Sequence, residues 1–349
     1  MKKSKIYLAA GIMAAALLSG CSQQSAETEA PAATEQTTEV QSTEQTETTA
    51  ESAKAEETSG EKAGTIAVTY VKSPLNVPSI VEKDQGIFAK TFGAKGYDVT
   101  YSDLTTGPEQ TQALASGDIQ FLNAVGATSV ILSASNGADI KIMSIYSRSP
   151  KAFKLFSKDD SISSPEDLRG KKVAGPKGTI LHELLVAYLN TAGMKESDIE
   201  FMAMGIPDAQ AALAGGSVDC ALLAGPTAYN MEKDGFHVVT DGEGLTDATI
   251  VTATSQKFYD EHPDLVADFL SAQKEVLGYM ESNYDDAVAA TAKETELTED
   301  AVKEMYGMYD FDMEIKDSDI EAMEKTKQFM LDSGMIENDV DVKGLILAQ

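Results

Sequence analysis

The residues best placed for chemistry are hydroxyls, glycines and a few bases, set where apolar strand-like runs give way to helical patterns. Asn123, Gly126, Thr128 and Ser129 follow the run 119–122, and Lys177, Gly178 and Thr179 follow 172–174. Gly205 and Asp208 follow 199–204, and Gly225 and Thr227 follow 218–223. Ser73 and Pro74 come after the first such run, and Gly107 lies on a further loop expected to enter the same space. In an open α/β sheet a ligand sits beyond the carboxyl ends of the strands, where helix starts leave backbone N–H groups without partners. Thr128 or Ser129, and Thr179, suit the capping role at such starts, and each helix end favours an anion by about 0.3–1 kcal/mol at an exposed site. Arg148 and Lys177 are the bases expected to pair a ligand's acid on an otherwise acidic chain. The competing readings are plain capping for the threonines and a solvated surface charge for the bases. Tyr70, Tyr146 and Tyr229 could stack on a ligand or serve the core.

Other chemistries find little to use. His182, His237 and His262 show no metal-ligand spacing, and neither a Gly-x-Ser-x-Gly nucleophile turn nor a Walker loop is present. The order Lys177-Gly178-Thr179 is wrong for cradling a phosphate. No catalytic set, metal or cofactor is therefore expected. The chain has two cysteines: Cys220 lies in the apolar run 218–224, where it behaves as a small buried hydrophobe, and Cys21 has a separate role. A net charge of −28 opposes binding to nucleic acid or to an anionic lipid surface.

The elements that must position these residues come in four parts. Lys2, Lys3 and Lys5 precede an apolar run, 6–18, that closes on Leu18-Ser19-Gly20-Cys21. That run falls short of the roughly 20 residues a membrane-spanning helix needs, but suits a secretory signal. Its ending resembles the bacterial lipoprotein signal, so 1–20 is expected to be removed and Cys21 to carry lipid at the extracytoplasmic face of the cell membrane. Residues 21–63 form an acidic tether, with two Lys against ten Glu and almost no large apolar side chain, which cannot bury enough surface to fold.

From residue 64 onward short β-like runs (65–71, 98–102, 119–123, 140–146, 153–157, 172–174, 199–204, 218–223, 238–240 and 249–253) alternate with helical patterns. Alternation of this kind argues for layered α/β architecture. After about residue 264 three amphipathic helices follow, 264–281, 298–306 and 318–331, with capping signals at Pro263-Asp264, Thr298 and Ser318 with Glu321. Met305, Tyr306, Tyr309 and Met330 in this tail read as core filling. The segments 113–128 (ALASGDIQFLNAVGAT) and 212–227 (ALAGGSVDCALLAGPT) repeat one pattern 99 positions apart without a gap. Two similar lobes follow from that repeat: 64–150 with 246–349, and 151–245, joined near 147–152 and 241–248.

Several motifs in fixed order carry a resemblance to a known family. Gly86, Phe88, Gly107 and the pair Gly117-Asp118 come first. Asp167-Leu168-Arg169-Gly170-Lys171-Lys172-Val173 follows, then Lys177-Gly178-Thr179 with His182, then the stretch 211–219 leading into a strand. Together they resemble the solute-binding proteins of ABC importers for aliphatic sulfonates, taurine, nitrate and thiamine pyrimidine precursors. The resemblance implies a two-lobed, periplasmic-binding-protein-like (type II) α/β fold with a helical C-terminal extension, closing on a small anionic or zwitterionic solute. It further implies a monomer that docks on a membrane permease driven by a cytoplasmic ATPase, and no enzymatic activity. Where many relatives place Trp-Asp-Pro, this chain has Ala224-Gly225-Pro226-Thr227, and it contains no Trp, so the ligand's identity stays open. A secreted enzyme acting on a small metabolite, or a surface sensor reusing the fold, are the alternatives.

Overall fold

Strands buried on both faces, such as CALLA and TIVTAT, alternate with helices that cover them, and two sheets result. The structure, a computed structural model, describes residues 63–347, so the expected signal segment, Cys21 and nearly all of the expected tether lie outside the described residues. Among the described residues no helix is long and apolar enough to cross a membrane. The first stretch runs β1 (Gly64–Thr69), α1 (Val77–Gln85), α2 (Ile87–Gly93), β2 (Tyr97–Ser102), α3 (Gly107–Ser116), β3 (Leu122–Gly126), α4 (Ala127–Ser135) and β4 (Lys141–Arg148). The second runs β5 (Phe153–Ser157), β6 (Lys172–Gly175), α5 (Ile180–Thr191), β7 (Glu200–Ala203), α6 (Ile206–Gly215), β8 (Cys220–Ala224), α7 (Gly225–Lys233) and β9 (His237–Asp241). The chain then returns through β10 (Thr249–Thr254) to α8 (Gln256–Glu261), α9 (Pro263–Ser282), α10 (Tyr284–Thr295), α11 (Glu299–Tyr306), α12 (Asp317–Asp332) and α13 (Val342–Leu345).

The two sheets share one plan. In the second the order is β7-β6-β8-β5-β9, with β5 antiparallel to both neighbours and β6 parallel to β7 and β8. In the first, β1 pairs in parallel with β2, and β10 lies antiparallel between β3 and β4. A bridge from Val68 to Phe121 and a Thr69 N–H bond to the Phe121 carbonyl (3.1 Å) join these pieces in the order β2-β1-β3-β10-β4. Each sheet therefore takes its antiparallel strand from chain that arrives from the other sheet. The two crossings touch: a Cβ on Gly242 would lie 2.5 Å from the Pro150 carbonyl oxygen. The repeat falls on matching elements, because Gly117 and Gly216, both left-handed at φ 82° and 73°, end α3 and α6 with the same pair of bonds back to the preceding turn.

The extension after β10 packs mainly on the first sheet's helices, α9 against α1 and α2 and α12 against α4. Phe121 and Phe269 stack with ring centroids 4.4 Å apart at the centre of an aromatic cluster that includes Phe88 and Phe92. Met305, Tyr309 and Met330 are buried as expected, and Tyr306 is partly so. The extension holds more helices than its apolar spacing suggests: α10 is Ala-rich, and small buried residues such as Ala287 and Ala292 leave a weak periodic signal. Thr298 caps α11, its hydroxyl accepting the Ala301 N–H at 3.2 Å. The Ser318–Glu321 pair does not cap α12. Asp319 does, accepting the Lys316 N–H at 2.8 Å while it holds Arg148. Cys220 is buried and free, and burial pushes its thiol up to about 12, which leaves it inert.

Two side chains give this packing a measurable signature. Arg148 donates from Nε and Nη2 to both Asp319 oxygens (2.6 Å each), from Nη1 to Asp310 (3.1 Å) and the Asp312 carbonyl (3.0 Å), and from Nη2 to the Glu314 carbonyl (2.9 Å). All five guanidinium donors are then used, so Arg148 pins the extension to β4 with nothing left for a solute. Burial alone would lift the Asp319 carboxyl, but Arg148 and the Lys316 N–H together hold it below its usual range. Arg148→Lys, which keeps the charge and loses the fork, is expected to cost about 2 kcal/mol in urea unfolding and leave solute affinity within twofold.

Glu82 is buried between the Phe88 N–H (2.9 Å) and the Tyr101 hydroxyl (2.9 and 3.1 Å), yet burial pushes its carboxyl from 4.5 up to about 7. The folded state thus holds the proton more tightly than the unfolded chain. Its contribution is full below about 4.5 and lost as the pH rises through about 7. Glu82→Gln should remove that loss, so the variant gains about 3 kcal/mol on the parent between pH 4.5 and 8 in urea titrations. Parallel stability curves for the two proteins would rule this assignment out.

Candidate functional site

Loops at the carboxyl ends of β1, β2, β3, β6, β7 and β8 converge on a cavity of about 200 Å³. That is the volume of about seven liquid waters. One wall comes from the first sequence stretch: Lys72, Ser73 and Pro74 after β1, then Asp103, Thr105, Gly107 and Gln110 around the start of α3, then Ala124, Gly126 and Ser129. The facing wall carries Pro176, Thr179, Ile180 and Leu181 at the start of α5, Ile206 and Pro207 on α6, and Ala224 and Thr227 on α7. Phe153 and Ile250, on the strands that follow the two crossings, complete the lining.

Four successive helices, α4, α5, α6 and α7, place first-turn or N-cap residues on this lining, and no side chain caps any of them. Their free N–H groups and the positive ends of their dipoles favour an anion there. Pro207 and Pro226 each remove one N–H from the first turns of α6 and α7, so α4 and α5 are the richer donors. The hydroxyls expected to cap do something else. Thr179 is the N-cap residue of α5, but its Oγ1 donates to the Pro176 carbonyl at 2.8 Å. Thr128 donates to Glu183 at 2.5 Å.

Of the residues singled out from the sequence, Ser73, Pro74, Gly107, Gly126, Ser129, Thr179 and Thr227 line the cavity. Gly225 sits at its edge in the left-handed region (φ 64°), and a Cβ there would lie 1.8 Å from the Pro74 carbonyl oxygen. Only glycine allows that approach of the two walls. Asn123 lies beneath the lining instead, fully buried. Its N–H donates to Thr69 (2.7 Å), its Nδ2 to Ser79 (3.1 Å), and its Oδ1 accepts from Gln273 (2.7 Å). Thr128, Arg148 and Asp208 are also outside it: the first two are committed to carboxylates and Asp208 is exposed on α6.

Lys177 and Gly178 line a separate groove with His182 and Glu196. Lys177 lies 3.5 Å from Glu196 there. The His182 Nδ1 accepts the Gly178 N–H (3.3 Å), which leaves its proton on Nε2 for Glu196 (2.5 Å). Burial pulls this imidazole below its ordinary pKa against the pull of Glu196, so it is a neutral brace for the loop before α5. Tyr70, Tyr146 and Tyr229 bond to Glu294, Ser79 and Glu304, and none lines the cavity.

Four polar lining residues have no counterpart among the sequence candidates: Lys72, Asp103, Thr105 and Gln110. Lys72 adjoins Ser73, so its loop was legible though the residue was not. Asp103 and Thr105 precede α3 without any motif, and Gln110 sits in a helix whose apolar spacing marks it as structural. Ala124 is a fifth surprise: it has φ 75° in a bulge where the β3–β10 register shifts, which turns the end of β3 into the cavity.

The walls are also tied behind the lining. Ser129 Oγ donates to the Gly178 carbonyl at 2.8 Å. Glu183, fully buried on α5, accepts from Thr128 on α4 and from Thr326 on α12 (2.9 Å), and burial raises its carboxyl pKa.

Comparison with known proteins agrees with this architecture. The chain is 31% identical over 212 residues to the taurine-binding periplasmic protein of Escherichia coli (strain K12), covering 60% of this chain and 64% of that one. It thus spans under two thirds of that relative's length. Among solved structures, the alkanesulfonate-binding protein SsuA from Xanthomonas axonopodis pv. citri bound to MOPS superposes with a TM-score of 0.74 at 20% identity, over 82% of this chain and 99% of that one. The periplasmic aliphatic sulphonate binding protein SsuA from Escherichia coli gives 0.68 at 21% identity, over 81% and 92%. These likenesses establish the two-lobed periplasmic-binding-protein fold expected from the sequence. A family model, described as NMT1/THI5 like, matches residues 74–287. That match spans more than half of the sequence, and the chain belongs to the NMT1/THI5-like family.

Proposed function

We propose that this chain captures a small anionic or zwitterionic solute, of the sulfonate, taurine, nitrate or thiamine-precursor class, and delivers it to the permease of an ABC importer. In this reading the lobes are 64–150 with 246–349 and 151–245, and the solute lies between them. Lipid on Cys21 and the acidic tether keep the monomeric receptor at the extracytoplasmic face of the cell membrane, near its permease.

The observation that carries the reading is the meeting of four helix starts, none capped by a side chain, on one small cavity. Such a site holds an anion through backbone N–H groups rather than through a dedicated base. A cavity of about 200 Å³ packed at interior density suits a solute of about ten heavy atoms. The names of the relatives, which bind taurine and sulfonates, support the same class. Binding is favoured over catalysis because the lining contains neither His nor Cys, and its hydroxyls have no imidazole beside them to activate them.

A thermal-shift screen of the full chain against sulfonates, nitrate, thiamine precursors and amino acids tests the class. Small acids are expected to raise the melting temperature; a response confined to neutral or cationic compounds would falsify the anion reading. Gly225→Ala tests the approach of the walls. Its Cβ would strike the Pro74 carbonyl, so calorimetry should show affinity at least about tenfold weaker, while unfolding loses only about 1 kcal/mol from the left-handed backbone. Should stability fall as far as affinity, the contact belongs to folding rather than to closure.

A further inference from the structure

Two successive residues of α4 reach across to the facing wall. Ser129 bonds to the Gly178 carbonyl in the loop before α5, and Thr128 donates to one oxygen of Glu183 on α5 itself (2.5 Å). Glu183 is 3% exposed and lies about one turn beyond Thr179, which lines the cavity. Its other oxygen accepts from Thr326 on α12 (2.9 Å), and Thr246, in the crossing that leads to β10, supplies a third hydroxyl. None of these hydroxyls belongs to the stretch 151–245 that carries Glu183, so both of its oxygens are satisfied from across the divide.

Admitting a solute between the walls requires them to part. Parting α4 from α5 breaks the bonds of Thr128 and Ser129 together and lets water reach Glu183. Water stabilises an ionised carboxylate, whereas hydroxyl donors replace only part of the hydration that burial removes. With the walls together, burial outweighs the three hydroxyls and raises the Glu183 carboxyl above its ordinary 4.5. The surrounding charges give no relief. Neither α4 nor β10 contains a charged residue, and α12 presents Thr326 together with buried Met323 and Met330. Asp319, two turns back on that face, is held by Arg148. On α5 the adjacent His182 bonds to Glu196, and Asp247 beside Thr246 adds negative charge that favours the proton further.

We infer that Glu183 is a positioning residue for capture, coupling closure of the walls over the solute to uptake of a proton, so that the solute is held more tightly as the surroundings turn acidic. The inference rests on the reading that a small acid lies between the stretches 64–150 with 246–349 and 151–245. Closed walls hold the Glu183 proton more tightly than parted ones. By linkage, a solute that closes them draws a proton in, and its affinity falls as the pH rises above about 4.5.

Calorimetry on the full chain between pH 5 and 8 tests this with ethanesulfonate, 2-aminoethanesulfonate and nitrate, whose acid groups stay ionised throughout. A probe that binds should do so about tenfold more weakly or worse at pH 8 than at pH 5, and heats compared in phosphate and Tris at pH 7 should show a proton taken up. Glu183→Gln, which stands in for the protonated form, should flatten the profile and abolish that part of the uptake, while Asp103 on the lining titrates in both proteins. Thr326→Val removes a hydroxyl that favours the ionised form, so it should weaken binding more at pH 8 than at pH 5, and it guards against a Gln variant that does not fold. A flat profile in the parent, or one that neither substitution changes, overturns the role of Glu183 alone. Failure of all three probes to bind at any pH overturns the small-acid reading and this inference with it.

Discussion

Neither sheet is complete without chain that comes from the other. The antiparallel strand β5 sits between β8 and β9 only because the chain has crossed from β4, and β10 sits between β3 and β4 only because it has crossed back from β9. This exchange fixes where everything else lies. It turns the carboxyl ends of β1, β3, β6 and β8 toward one another, and in open α/β sheets those ends are where helices begin. The cavity is the place where those beginnings meet. The shared strand order of the two sheets gives it two walls of similar construction, and Gly117 and Gly216 show how closely the local geometry repeats.

The energetics of the walls follow from how the chain treats its helix starts. A helix normally satisfies its first N–H groups with a side-chain oxygen. At α5 the N-cap hydroxyl is turned to another acceptor, Thr179 to the Pro176 carbonyl; at α4 the N-cap is Gly126, which has no side chain, and Thr128 in the first turn donates to Glu183. The starts are left open toward the cavity while the same hydroxyls stiffen the walls. Glu183 shows the cost of such bracing. With no cationic partner among the described residues, it is held in the interior by the hydroxyls of Thr128, Thr326 and Thr246, and burial raises its pKa accordingly.

How much of this could be read from the sequence depends on what each residue's neighbours in the chain reveal. Alternating apolar runs located the strands of both sheets, and the repeat at 113 and 212 located equivalent helix ends, because both signals are local. Glycine positions in loops were informative for the same reason: Gly107, Gly126 and Gly225 all lie on or beside the cavity. The bases were not informative. Arg148 has a loop-like neighbourhood in sequence, yet it serves Asp319, 171 positions away, and nothing local to it encodes that partner. Gln110 reads as one more polar residue on an amphipathic helix, and its unpaired oxygen emerges only when Leu104 has taken the other end of the amide. Bulged Ala124 likewise depends on the register of β10, a strand drawn from more than a hundred residues further along.

The extension does more than cover the first sheet. Glu304 on α11 accepts from Tyr229 (3.1 Å) and Lys233 (3.2 Å) on α7, and Lys233 foremost, with Tyr229, holds its carboxyl below the usual range. Both ends of the ion pair are about half exposed, at 53% each. Added salt screens a contact of that kind, whereas it leaves the buried Glu183 hydroxyl bonds almost untouched. The grip between α11 and α7 therefore varies with ionic strength, and the surrounding medium becomes one of the forces that set how firmly the far side of the molecule holds together.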